Sequence, residues 1–129
     1  MSRDAVRLLT VQLPCDRTAP RLARARVGTL DTVEPVLDDV LLVTSELVSN
    51  AVLHAGCGPD EEIECIIERV GHGVRVTVSD PGHGATEPHI RSEEPDVSGG
   101  MGLRVVETLA CRWGFYRNRK QSVWAELAL

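Results

Sequence analysis

At 129 residues, 43% of them apolar and 26% charged, the chain has the size and composition of one folded domain, 1–129. It can bury roughly two-thirds of its unfolded surface without disulfide or metal staples, which excludes a disordered segment. Fourteen Lys and Arg against 19 Asp and Glu leave a net charge of −5, and no basic stripe stands out, so nucleic acid is not an expected partner.

Aromatic residues make up only 3%, so Val, Leu, Ile and Ala must fill the core. No stretch reaches the run of about 18 apolar residues that a membrane helix needs, and Met1-Ser-Arg-Asp4 leads into no long apolar run, so neither a membrane span nor a signal peptide is expected. Cys15, Cys57, Cys65 and Cys111 form no C-x-x-C pair and read as reduced thiols in a cytoplasmic chain. His54 and Cys57 lack a second ligand pair with zinc-site spacing.

Val6 to Leu13 is rich in β-branched and aliphatic residues and stops at Pro14, as a strand does. Asp16 or Thr18 can cap a following helix, with Pro20 in its first turn and Leu22, Ala25, Arg26 and Leu30 at helical spacing. Arg21, Arg24 and Arg26 give it a basic side, either a solvated face or a dock for an acidic partner. Glu34-Pro35 interrupts it, and Val36 opens the next helix, whose first turns carry Asp38 and Asp39.

That second helix organises the chain. At about 100° per residue, Val40, Val43, Leu47, Val48, Ala51 and Val52 share one arc, and Glu46, Asn50 and His54 follow one another at i, i+4 and i+8 along its margin. A carboxylate and a carboxamide thus stand one turn apart where the apolar face ends, fixed by the packing beneath them. Asn is a poor interior helix residue, because its side chain competes for backbone hydrogen bonds.

Gly56 ends the helix, and Ile63 to Val70 with Val74 to Ser79 make a hairpin around Gly71-His-Gly73. The second strand runs into Asp80-Pro-Gly-His-Gly84. From Ala85 to Ser98 the pattern lapses into an acidic stretch with Pro88 and Pro95, a loop long enough to be a lid. It closes on Ser98-Gly-Gly-Met-Gly102, which leads into a helix with Leu103, Val106, Leu109 and Ala110 at helical spacing. Trp113 to Tyr116 and Val123 to Leu129 follow as strands. The order predicts an α+β two-layer sandwich, a mixed sheet with helices on one face.

Asp80 at a strand end can accept hydrogen bonds from an exocyclic amine, while Gly82 and Gly84 let the backbone approach a flat ligand. Gly99, Gly100 and Gly102 precede a helix N-terminus, whose unpaired N–H groups favour phosphate. Taken in order, E-x-x-x-N on a helix, D-x-G-x-G after a strand, a lid, and G-x-G before a helix resemble the N, G1 and G2 boxes of the GHKL ATP-binding superfamily. The likeness covers about residues 36 to 129. Ser45-Glu-Leu-Val-Ser-Asn-Ala-Val-Leu-His54, Gly100-Met-Gly-Leu-Arg104 and Ser122-Val-Trp-Ala-Glu-Leu127 look most like the RsbW-like anti-sigma-factor serine/threonine kinases.

The resemblance implies an ATP-binding fold of the Bergerat type with ATP and Mg²⁺ as cofactors. Asn50 would hold Mg²⁺, and Glu46 would be the general base. Asp80 would take the adenine amine, with Gly82 and Gly84 shaping the base pocket; Gly100 and Gly102 would meet the phosphates. Ser122 would stand near the adenine, and His54 would approach the phosphates. The implied function is phosphorylation of a STAS-type anti-anti-sigma protein, with a sigma factor as a further partner, a homodimer permitted and a cytoplasmic location. A non-catalytic module that sequesters a transcription regulator is the alternative. A histidine kinase catalytic half working in trans is a third reading. Two departures stand out: Lys120 and Gln121 occupy a turn where many relatives place glycine, and the acidic lid carries one cation, Arg91, leaving Arg104 as either a γ-phosphate clamp or a surface Arg.

Overall fold

The computed structural model describes residues 5–82 and 103–129. In chain order they form β1 (Val6–Pro14), α1 (Ala19–Val27), a 3₁₀ segment (Asp31–Val36), α2 (Leu37–His54), β2 (Glu62–Val70), β3 (Gly73–Asp80), α3 (Leu103–Leu109), β4 (Arg112–Arg117) and β5 (Gln121–Ala128). The strands make one sheet in the order β1-β2-β3-β5-β4. Every pairing in it is antiparallel, where the sequence suggested a mixed sheet. The two hairpins, β2–β3 and β4–β5, dictate antiparallel neighbours, and β5 enters beside β3 in the same sense. The expected α+β sandwich is otherwise what forms.

Alternation along the strands sorts the sheet into two faces. Ile63, Cys65 and Ile67 of β2, Val74, Val76 and Val78 of β3, and Val123, Ala125 and Leu127 of β5 belong to the core, opposite α1, α2 and α3. The other face carries polar pairs. Arg75 bridges Glu68 at 3.2 Å and Glu126 at 3.3 Å, and Arg112 reaches Glu126 at 2.7 Å while its guanidinium lies 5.7 Å from the Trp124 ring centroid. A groove of about 400 Å³ on this face is bordered by Ile66, Thr77, Tyr116 and Trp124.

Helix α2 is the spine of the helical layer. It packs against α1, α3 and β3 through Val40, Val43, Thr44, Leu47, Val48 and Ala51, all buried, and each large aliphatic side chain so removed from water contributes roughly 1.5–3 kcal/mol. Val52, expected on the buried arc, is half-buried at its edge. Its end is set by Gly56 at φ 65, a left-handed conformation that stops the helix. The buried face of α1 differs from the predicted one. Ala19, Ala23 and Val27 face the core while Leu22 is 41% exposed, because small side chains let α1 lie close on its neighbours. Asp16 accepts the Thr18 backbone N–H at 2.8 Å and holds the turn ahead of α1; Thr18 occupies the cap position, but its hydroxyl donates to Asp16 and accepts no helix N–H.

Thr44 is fully buried and its hydroxyl has no hydrogen-bond partner among the described residues, a cost of about 1–3 kcal/mol for an unsatisfied polar group. Thr44→Val keeps the shape and removes the hydroxyl. Urea unfolding is expected to show the variant more stable by about 1 kcal/mol, and a lower midpoint would contradict the assignment.

The cysteines depart from the reduced reading. Cys15 and Cys57 are joined in a disulfide with Cα atoms 6.4 Å apart, while Cys65 and Cys111 are free. The fold brings the residue after β1 beside the loop after α2, a proximity across 42 positions that cysteine spacing does not encode. Burial, with Glu64 beside it, pushes the Cys65 thiol up to about 12. Its unfolded counterpart ionises near 9.0. Hence its contribution to stability is complete below that pH and fades as pH rises toward 12. Native protein without reductant should therefore react with iodoacetamide at Cys111 alone. Mild reduction should add Cys15 and Cys57, and only unfolding should expose Cys65. Labelling of Cys65 in the folded chain, read by peptide mass, would refute its burial.

Candidate functional site

Glu46 and Asn50 are both half-buried and lie one helical turn apart on α2, at the margin of the face that packs on β3. His54 is the last residue of α2 and is exposed, so the three-residue row runs from the packed layer out to solvent. Arg24 of α1 donates to the Ser45 hydroxyl at 2.8 Å; one member of the basic side thus ties α1 to the residue before Glu46. The remaining Arg21 and Arg26 are exposed.

Asp80 closes β3 on the helix-facing side of the sheet, since it continues the alternation of Val74, Val76 and Val78. It is 6% exposed. The carboxylate oxygen Oδ1 accepts the backbone N–H of Gly82 at 2.6 Å, which folds the chain back just after the strand. Gly82 sits at φ 83, and a Cβ there would lie 3.1 Å from the Arg119 carbonyl oxygen. Both the backbone conformation and the close seat on the β4–β5 turn require glycine. Arg117 clamps the arrangement by donating to the Gly82 carbonyl at 3.1 Å.

Ser122 is not brought to Asp80. In the β3–β5 register Ser79 faces Ser122 and Asp80 faces Gln121, and residues directly opposite in antiparallel strands share a face. Ser122 therefore lies on the outer face, where its hydroxyl is 2.7 Å from that of Ser79. Ser122 and Asp80 thus leave the sheet on opposite faces. Gln121, treated from the sequence only as a departure, is the residue on Asp80's face. The signal was available in the strand alternation once the Asp80 pairing was fixed.

Gly84, Gly100 and Gly102, and the lid with Arg91, lie outside the described residues. Arg104 is half-buried on α3. Among the described residues no group of three His, Cys, Asp or Glu is arranged to hold a metal ion. The donor set is instead a half-buried carboxamide, Asn50, one turn from a carboxylate, which suits a cation that keeps most of its waters and takes its other oxygens from phosphates. Mg²⁺ fits this set; zinc, which needs three or four N, S or O protein ligands, does not.

Residues 16–126 match the family model of the histidine kinase-like ATPase domain. The chain belongs to that family. No curated protein sequence matches it. Among solved structures, it is similar to the crystal structure of the RsbU and RsbW domains of Rv1364c from Mycobacterium tuberculosis, with a TM-score of 0.66 and 21% sequence identity. The match covers 94% of this chain and 31% of that one, so it speaks for the fold of a part of a larger protein. With the family in place, the histidine kinase-like ATPase fold accounts for the ATP-binding expectation drawn from the three motif boxes. No helix among the described residues is long and apolar enough to cross a membrane.

Proposed function

We propose that this ATP-binding regulatory chain is a Mg²⁺-dependent protein serine/threonine kinase whose substrate is a small STAS-type anti-anti-sigma protein, and that it also holds a sigma factor. The observation that carries the reading is the placement of Glu46 and Asn50 one turn apart on the half-buried margin of a helix packed on β3, the strand that Asp80 closes on the same inner face.

In this reading Asp80 accepts from the exocyclic amine of adenine, and the Gly82 turn, fixed by Asp80 and Arg117, forms the edge of the base pocket. Asn50 would hold Mg²⁺ through its carboxamide oxygen, and the ion would neutralise charge on the β- and γ-phosphates. Glu46 orients the attacking hydroxyl of the substrate and takes its proton. The hydroxyl oxygen then bonds to the γ-phosphorus, the bond from that phosphorus to the bridging oxygen breaks, and ADP departs. Phosphoryl transfer asks the protein chiefly for position and charge neutralisation, which a carboxylate and a carboxamide on one rigid helix supply. His54, exposed at the helix end, would approach the phosphates from there. Gly84, Gly100 and Gly102 take the roles that their motif positions imply, at the base and the phosphates. ATP as ligand puts the protein in the cytoplasm, where reducing thiols would act on the Cys15–Cys57 bond.

The test mixes the purified chain with γ-radiolabelled ATP, Mg²⁺ and candidate STAS proteins. Acid-stable label on a partner serine or threonine is the expected result. Intact ATP beside a captured partner would favour the sequestering module, and acid-labile phosphohistidine would favour a histidine kinase.

A further inference from the structure

We infer that Gln121 determines base specificity in the nucleotide site, donating from its carboxamide to the ring nitrogen that neighbours the amine accepted by Asp80. The inference rests on the nucleotide reading above and adds a residue that the sequence motifs did not assign. Three observations support it. Gln121 and Asp80 are direct partners in the β3–β5 register, so their side chains leave the sheet on the same, helix-facing side. Gln121 is only 8% exposed. Among the described residues its carboxamide makes no hydrogen bond, while the serines behind it on the other face satisfy one another.

The amide atoms themselves are not sealed in, since among the described residues Thr44 Oγ1 alone is a fully enclosed polar side-chain atom without a partner; the small exposed part of Gln121 thus leaves its carboxamide open to a ligand or a water. Here the neighbouring residues restrict the answer. The seat of Gly82 on the 119–121 turn is tight, with the position a Cβ would take 3.5 Å from the Gln121 backbone nitrogen and 3.5 Å from the Lys120 Cα. The Arg117 clamp holds the same turn. Gln121 therefore begins its strand from a fixed backbone at the place where the Asp80 turn ends.

The pair offers a carboxylate, which only accepts, beside an amide, which can donate. An amino group flanked by a ring nitrogen presents the complementary order, donor then acceptor, as the N6–N1 edge of adenine does. Ser122 cannot take this part, because it projects from the opposite face.

Calorimetry on the full chain with Mg²⁺ tests the assignment, using ATP and its 1-deaza analogue, in which the ring nitrogen N1 is a C–H. The wild-type chain is expected to bind the analogue about tenfold more weakly than ATP. Gln121→Met, similar in length but without a donor, should bind ATP about tenfold more weakly than wild type and should no longer distinguish the two nucleotides. Gln121→Ala provides a second variant, and the thermal melt of each is read alongside. If either folded variant binds ATP as wild type does, or keeps the full preference for ATP over the analogue, the Gln121 assignment is overturned while the nucleotide reading stands. If the wild-type chain gives no heat with ATP, both fall together.

Discussion

Glu46→Gln is expected to reduce phosphoryl transfer to the STAS partner by about 10²–10⁴-fold, the usual contribution of a positioned general base, with ATP affinity unchanged. The substitution preserves length and one acceptor oxygen but removes the basic carboxylate. Glu46 sits on the margin of α2, not within its buried face, so the helix should keep its apolar packing, and a thermal melt reads the fold of the variant separately from its activity. A fall in kcat/KM carried by kcat, with KM for ATP unaltered, is the signature of a group that acts in the transition state. Transfer at the wild-type rate would remove Glu46 from the chemistry and leave ATP binding untouched as a claim.

Asp80→Asn is expected to weaken ATP binding by about 10–100-fold, as loss of one charge-assisted hydrogen bond does. The choice of Asn separates recognition from folding. Its carbonyl oxygen can still accept the Gly82 N–H that Asp80 Oδ1 now takes at 2.6 Å, so the turn and its clamp by Arg117 survive. What changes is the group offered to the base, where an amide can present a donor against an amine donor. A variant that melts like wild type and binds ATP equally well would show that Asp80 serves only the turn.

Much of this arrangement was legible in the residues, and the reasons differ by element. The α2 arc emerged from period alone, because Val40, Val43, Leu47, Val48 and Ala51 are consistently apolar and consistently buried. In α1 the same periodicity points to Leu22, the larger apolar residue, whereas the fold buries Ala19, Ala23 and Val27; close helix approach rewards small side chains, which hydropathy undervalues. Ser122 lies one residue from the position opposite Asp80, and in a strand a single residue is a change of face. Motif spacing in a turn containing Lys120 could not fix that register, whereas the ladder from Gly73–Ala128 to Asp80–Gln121 does. The Cys15–Cys57 bond depends on where two chain reversals meet in space, and nothing local in either segment reports it.

Strand order has a further consequence for how the protein comes into being. β5 is the last strand in the chain, yet it lies inside the sheet, between β3 and β4. Until it is inserted, Asp80 and the Gly82 turn have no floor and β3 has a bare edge. The inner face around Asp80 is therefore completed only when residues 121–128 have been made and inserted beside β3. A chain cut before Gln121 should expose the β3 edge and be prone to self-association.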